Sequence, residues 1–182
     1  FSIASDPSIA ENSAMSGRAM NQETGLLVIV RHGEAEPDQV DPARPLTLQG
    51  RQDVERLAAC LATADLMLQR IVHSDKLRAR QTAQIVQRYL AAEQGAVASD
   101  GLHPNDDVGF AVDLADRTVG ASMIVGHLPH LERVIDSLLS GRLDARIVEL
   151  QAGAAAVLAR RPHGWTLRAL IQPDLLPVSG AS

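Results

Sequence analysis

At 182 residues the chain is long enough to bury the core of one domain. Its formal net charge of −5 argues against a general nucleic-acid binder, and its single cysteine, Cys60, excludes an intrachain disulfide framework. Aromatics are only 2% of the residues, so the core must be built from Ala, Val, Leu and Ile.

Residues 1–25 are polar and rich in small residues, and they lack an apolar stretch of signal-peptide type. They are expected to form a flexible leader or an added extension, followed by a single domain over residues 26–178. No run approaches the length of a membrane span, so no membrane partner is expected. Sparse cysteine fits a reducing compartment, which makes the expected location cytoplasmic.

After the leader, short apolar runs alternate with helical patterns. "LLVIV", Leu26 to Val30, reads as a buried strand without polar alternation. Thr47 to Ala64 reads as a helix capped by Thr47, with Val54, Leu57, Ala58 and Leu61 at helical spacing. "RIVHS", Arg70 to Ser74, is a second strand. Leu77 to Ala92 is a second helix, with Leu77, Ile85, Val86 and Tyr89 toward one side. "GLHPNDDVGF" has the Gly, Pro, Asn and Asp content of a loop, and Asp107 to Asp116 reads as a short helix. "ASMIVGH" is a third strand, followed by a helix from Leu128 to Leu139 with Pro129 in its first turn. "AAAVLAR" and "WTLRALI" read as a hairpin at a sheet edge, turning at "RPHG". This alternation predicts an α/β sandwich with a mainly parallel sheet.

Ligands of such sheets sit beyond the carboxyl ends of the strands. The first strand ends in Arg31-His32-Gly33, the second in His73-Ser74 with Arg78 close behind, and the third in Gly126-His127. If these strands are neighbours, two arginines and two histidines converge on one rim. Arginine forks bind phosphoryl oxygens in pairs and keep their charge. Gly33 lets the backbone approach closely, and a neutral imidazole beside arginine-held phosphorus is a plausible nucleophile.

"RHGEAE", "RPLTLQG", "SDKLRARQTA" and "VGHLPHL" follow the order and spacing found in the histidine phosphatase superfamily, and the chain resembles its small SixA-type phosphohistidine phosphatases over roughly Leu26 to Leu175. The resemblance implies a phosphoglycerate mutase-like, three-layer α/β sandwich with minimal insertions. It implies that His32 is the catalytic nucleophile, that Arg31 and Arg78 clamp the phosphoryl group with Gly33 beside them, and that His127 adds a contact strengthening in the transition state. It implies no cofactor and no metal. Asp75 departs from the pattern, standing where the family often has proline.

Larger members of the superfamily supply a carboxylate from an insertion that is short here, and a labile phosphoramidate needs an acid less than an alkyl ester does. The resemblance therefore implies a phosphatase of histidine-phosphorylated proteins of phosphotransfer type. The alternatives are a broad small-molecule phosphomonoesterase and, from another class, a phosphate-binding adaptor without turnover. For the general acid the candidates are Asp107, with Asp106 beside it, and Glu34. Asp107 reads equally as a helix cap, and Glu34 as a polar loop residue. Arg44 is placed at the pocket mouth and Arg80 on a helix surface. His73 reads as structural, His130 as a polar residue at a helix start, and His103 and His163 as loop residues. His127 and His130 are spaced for metal binding but lack accompanying ligands.

Overall fold

The structure, a computed structural model, describes residues 24–177. The expected leader lies almost wholly outside the described residues. Ten main elements follow in chain order: β1 (Gly25–Arg31), α1 (Leu48–Ala62), β2 (Leu68–His73), α2 (Leu77–Leu90), β3 (Ala96–Ala98), α3 (Gly109–Asp116), β4 (Gly120–Gly126), α4 (His130–Ser140), β5 (Ala155–Arg161) and β6 (Gly164–Ile171). A short 3₁₀ turn, Pro173–Leu175, follows β6.

The six strands form one sheet in the order β3-β2-β4-β1-β5-β6. The first four run parallel, whereas β5 and β6 form the antiparallel hairpin expected at the edge. Along β1 the side chains divide between two cores. Val28 and Val30 pack toward α1 and α2, whereas Leu27 and Ile29 pack with the apolar faces of α3 and α4. A strand covered on both faces carries no polar alternation, which is why "LLVIV" reads as one apolar run. The result is the expected three-layer sandwich.

The first helix buries Val54, Leu57, Ala58 and Leu61, and Thr47 Oγ1 accepts the Gly50 N–H at 2.9 Å as its cap. The second helix buries Ala79, Thr82, Ala83, Ile85 and Val86, while Tyr89, expected on that face, is exposed. The short α3 begins at Gly109 rather than Asp107, because Asp107 Oδ1 accepts the Gly109 N–H at 2.7 Å and stays outside the helix. The next helix begins at His130, with Pro129 at its cap position rather than inside its first turn. Strand β3 was not expected. It is three residues long, lies at a sheet edge and has a largely exposed side-chain pattern, so it lacks an apolar signature.

Register places the functional residues. Arg31 is level with Gly126 on β4, and His73 is level with Val125. The strands β2, β4 and β1 therefore end together, on the same side of the sheet. The loop after β1 is then clamped against α1: a Cβ on Gly33 would meet the Gly50 carbonyl at 2.7 Å and Val54 Cγ2 at 2.8 Å. A Cβ on Gly50 would in turn meet the backbone of Glu34, including its N at 2.7 Å. Two glycines thus form the seam that fixes the turn carrying His32.

Gly50 sits in a helix, where alanine would ordinarily gain up to about 1 kcal/mol. We expect Gly50→Ala instead to destabilise the fold by about 1–3 kcal/mol through overpacking. A urea titration that shows no loss, or a gain, would mean the seam does not constrain the loop.

Candidate active site

His32 sits just past the end of β1, where its backbone N–H donates to the Gly126 carbonyl at 3.1 Å. Its ring is bonded at both nitrogens. Nδ1 lies 2.7 Å from the Gly33 carbonyl, and Arg78 Nε donates to Nε2 at 3.2 Å. A carbonyl can only accept and a guanidinium can only donate, so the two partners select one tautomer. The proton resides on Nδ1, and the lone pair is on Nε2, facing Arg78.

The electrostatics keep this ring uncharged. Burial is the largest influence and lowers the pKa of His32 to about 4, with the charges of Arg78, Arg31 and Arg44 adding to the effect against the opposing hydrogen bond to Gly33. His127 lies beside it, with ring centroids 4.9 Å apart and planes inclined at 55°. Burial is the largest influence on His127 as well and lowers its pKa to about 2, with the charges of Arg78 and Lys76 adding to the effect.

Ser74 Oγ is 2.9 Å from His127 Nε2, and His127 Nδ1 is buried with no hydrogen-bond partner among the described residues. With the Ser74 hydroxyl donating to Nε2, the single proton of the neutral ring falls on Nδ1. The two imidazoles then have complementary roles: His32 offers a lone pair, and His127 offers an N–H that has no acceptor in the protein. A buried unpaired donor is costly, and a ligand oxygen at this position would complete it.

The two arginines differ. Arg78 is half-buried at the start of α2 and directed at the His32 ring. Arg31 donates from Nη1 to the Leu150 carbonyl at 2.7 Å, and its buried Nε has no protein partner among the described residues. Burial lowers the pKa of both guanidiniums, while Glu132 opposes that effect at Arg31. Arg31 also lines a cleft of about 790 Å³ between α4 and the loop before β5. The charge of Arg44 acts on both His32 and Arg78, as a residue at the pocket mouth should. Gly33 serves differently from the expectation: its N–H donates to Thr82 Oγ1 at 3.1 Å, so it is engaged by α2 rather than offered to the pocket.

The acidic candidates are all engaged elsewhere. Glu34 Oε2 accepts the Thr47 hydroxyl at 2.8 Å, Asp107 Oδ1 caps α3, and Asp106 Oδ2 accepts the His103 N–H at 2.8 Å. His73 and His130 are buried, with ring nitrogens near the Ser74 and Asp107 carbonyls, and fit structural readings. Arg80 is exposed, as expected for a helix surface. Among the described residues no three His, Cys, Asp or Glu side chains gather as a metal-ligand set. Sequence reasoning passed over Ser74 as a partner of His127, and also the pair formed by Asp75 and His103. Ser74 was in view at a strand end, but its partner is 53 positions away and only the fold joins them.

The geometry defines a cationic pocket holding a neutral, lone-pair-bearing histidine. The comparisons agree with it. The profile of the histidine phosphatase superfamily (branch 1) matches residues 27–102. A phosphohistidine phosphatase SixA from Escherichia coli (strain K12) is 30% identical over 118 residues, which is 62% of this chain and 73% of that protein. An uncharacterized protein of Picosynechococcus sp. is 33% identical over 150 residues, covering 73% of this chain and 88% of that one. A solved structure of the protein histidine phosphatase SixA complexed with tungstate superposes with a TM-score of 0.71 at 25% identity, over 82% of this chain and 97% of that one. The chain belongs to the histidine phosphatase superfamily, and its architecture is phosphoglycerate mutase-like. Within the superfamily it is of the SixA type.

The titration behaviour is measurable. By imidazole NMR, His32 is expected to remain the neutral Nδ1–H tautomer at pH 6 and to gain a proton only near pH 4. A midpoint near 6.5 would overturn the electrostatic account. Stability should follow the same shift. The unfolded histidine has the higher pKa, so it binds protons first as pH falls, and the fold loses stability from about pH 6.5 toward about pH 4.

Proposed function

We propose that this chain is a metal-independent phosphatase that removes phosphate from histidine-phosphorylated proteins through a covalent intermediate on His32. The observation that carries the reading is the contact from Arg78 Nε to His32 Nε2, which identifies an unprotonated nitrogen within a cluster of positive charge. Such a nitrogen is a competent nucleophile toward phosphorus, and the surrounding arginines suit a phosphoryl group.

In the first step the His32 Nε2 lone pair attacks phosphorus as the bond to the leaving group breaks. Arg78, Arg31 and the His127 Nδ1–H stabilise charge on the phosphoryl oxygens, where most phosphoryl-transfer catalysis is achieved. Water then attacks the phosphohistidine from the vacated side, releasing phosphate and restoring His32. The guanidiniums supply the positive charge that divalent cations supply in other phosphoryl-transfer sites, so the mechanism calls for no metal.

Two observations support a phosphohistidine in a protein as substrate. The connection from β3 (Ala96–Ala98) to α3 (Gly109–Asp116) holds no inserted helix or strand, which suits approach by a folded partner. The cleft beside Arg31 has exposed Leu143 and Ile147 among its lining residues, which suits polypeptide flanking a phosphorylated side chain. The relative named phosphohistidine phosphatase, and the related structure holding tungstate, a tetrahedral oxyanion, point the same way.

The test is phosphate release from a histidine-phosphorylated phosphotransfer protein, in excess chelator, with small phosphomonoesters in parallel. Wild type should release phosphate, and protein quenched in alkaline detergent, where phosphohistidine survives, should carry one phosphoryl group on His32. His32→Ala should fall to background, and Arg78→Ala should lose about 10²–10³-fold in kcat. Release confined to small esters would replace the protein substrate with a small-molecule one. Release by His32→Ala at the wild-type rate would remove the covalent step.

A further inference from the structure

Outside the four residues at the phosphoryl pocket, one polar pair joins two of the loops that follow the strand ends. His103 Nε2 lies 2.7 Å from Asp75 Oδ1, joining the loop after β2 to the loop after β3. Both ends of this pair are anchored at the site. Asp75 directly follows Ser74, whose hydroxyl contacts the His127 ring. His103 directly follows Leu102, whose carbonyl packs on the end of β4, 3.3 Å from where a Cβ on Gly126 would stand. The His103 backbone is fixed as well, because its N–H is held by Asp106 at 2.8 Å.

Resting on the phosphatase reading above, we propose that His103 is the proton donor and acceptor of this site, with Asp75 as its positioning residue. The carboxylate accepts the Nε2 proton and leaves Nδ1 to exchange the working proton. In the first step the phosphorus–leaving-group bond breaks as the His32 Nε2–phosphorus bond forms, and the departing oxygen or nitrogen takes the Nδ1 proton of imidazolium His103. In the second step water forms the new phosphorus–oxygen bond, the phosphorus–Nε2 bond breaks, and neutral His103 recovers its proton from that water. The cycle consumes only substrate and water.

Three observations favour this assignment over a surface ion pair. The acidic side chains expected to act are all engaged, at Thr47 by Glu34, at the His103 N–H by Asp106, and at the α3 cap by Asp107. His103 is joined through Asp75 to the residue after Ser74, whose hydroxyl contacts the His127 ring, which ties it to the reacting centre. The pair is partly open to water, with side-chain exposures of 36% for His103 and 63% for Asp75, so the proton can equilibrate with solvent between turnovers. The charged groups around it are Asp75 and Lys76 from the loop after β2, His127 from the end of β4, and Asp106 from its own loop. The Asp75 carboxyl is held below its ordinary pKa chiefly by the hydrogen bond from His103, so it stays ionised in the working range.

The experiment compares p-nitrophenyl phosphate, whose leaving group needs no proton, with an alkyl phosphate, whose leaving group does. Wild type, His103→Ala and Asp75→Asn are assayed across pH, with phosphohistidine protein as a third substrate. Exposed ion pairs add little to folding stability, so both variants should fold. We expect His103→Ala to lose about 10²-fold or more on the alkyl ester, while p-nitrophenyl phosphate changes by no more than about threefold. The basic limb of kcat/KM for the alkyl ester should disappear, and added imidazole should restore part of the rate. Asp75→Asn should lower kcat on the alkyl ester with KM little changed. Equal losses on both esters, an unmoved basic limb, or wild-type turnover confined to p-nitrophenyl phosphate would each overturn the role of His103. Absence of turnover by folded wild type on all three substrates would instead overturn the phosphatase reading on which it rests.

Discussion

The chemistry of this site depends on keeping one imidazole uncharged among positive charges. His32 has Arg78, Arg31 and Arg44 acting on it, and a protonated ring there would face strong repulsion. Two unit charges about 4 Å apart at an effective dielectric of 20 repel by about 4 kcal/mol. Repulsion and burial act in the same direction, so the neutral ring is the stable form. The positive cluster that would attract a phosphoryl dianion is thus also the one that keeps Nε2 of His32 unprotonated. No separate base is required to deprotonate His32.

Holding a neutral histidine is not enough, since the wrong tautomer would direct a proton at phosphorus. The Gly33 carbonyl settles this by accepting from Nδ1, and that carbonyl belongs to the turn clamped against α1 by the Gly33 and Gly50 seam. The His127 ring is held instead at Nε2, by the Ser74 hydroxyl at the end of a different strand, which leaves its Nδ1 without a partner among the described residues. Two chemically identical side chains, 4.9 Å apart, therefore have different functions because different backbone and hydroxyl groups address them. The parallel register of β1, β4 and β2 brings those groups level.

Much of this was legible in the sequence because parallel strands buried on both faces produce unbroken apolar runs, and their ends are marked abruptly by Arg31-His32, His73-Ser74 and Gly126-His127. These three strand ends are enough to point to one shared pocket. The sequence was silent where pairing is long-range and locally unremarkable. Strand β3 has too few residues to display a pattern, and Tyr89 sits at helical spacing yet points outward past the end of the core. His103 read as a loop residue because nothing nearby explains it, and its partner is 28 positions earlier. Asp75 stood out only as a missing proline, a departure that concerns backbone stiffness until the carboxylate is seen to have a partner. Asp106 and Asp107 are candidates by their place in the short insertion region, and Glu34 by its place after Arg31-His32-Gly33. Their oxygens are instead used to build local structure, as short acidic side chains in loops commonly are.

The same loop chemistry bears on how a small member of this superfamily can manage without an inserted lid. An enclosed site excludes water and holds its acid on the inserted segment, at the cost of admitting only small substrates. Here His103 is held twice, its N–H by Asp106 within the loop and its ring by Asp75 across from it. These two bonds fix the residue without a large inserted segment. On the reading proposed above, a rim with a polar edge would admit a protein surface and present the His103 side chain to the departing atom. The overall charge of −5 does not weaken this arrangement, because exposed charges beyond about 8–10 Å are largely screened at physiological salt. What an incoming phosphoryl group meets is the local field of three arginines at short range, and that field is set by the ends of the strands rather than by the composition of the chain.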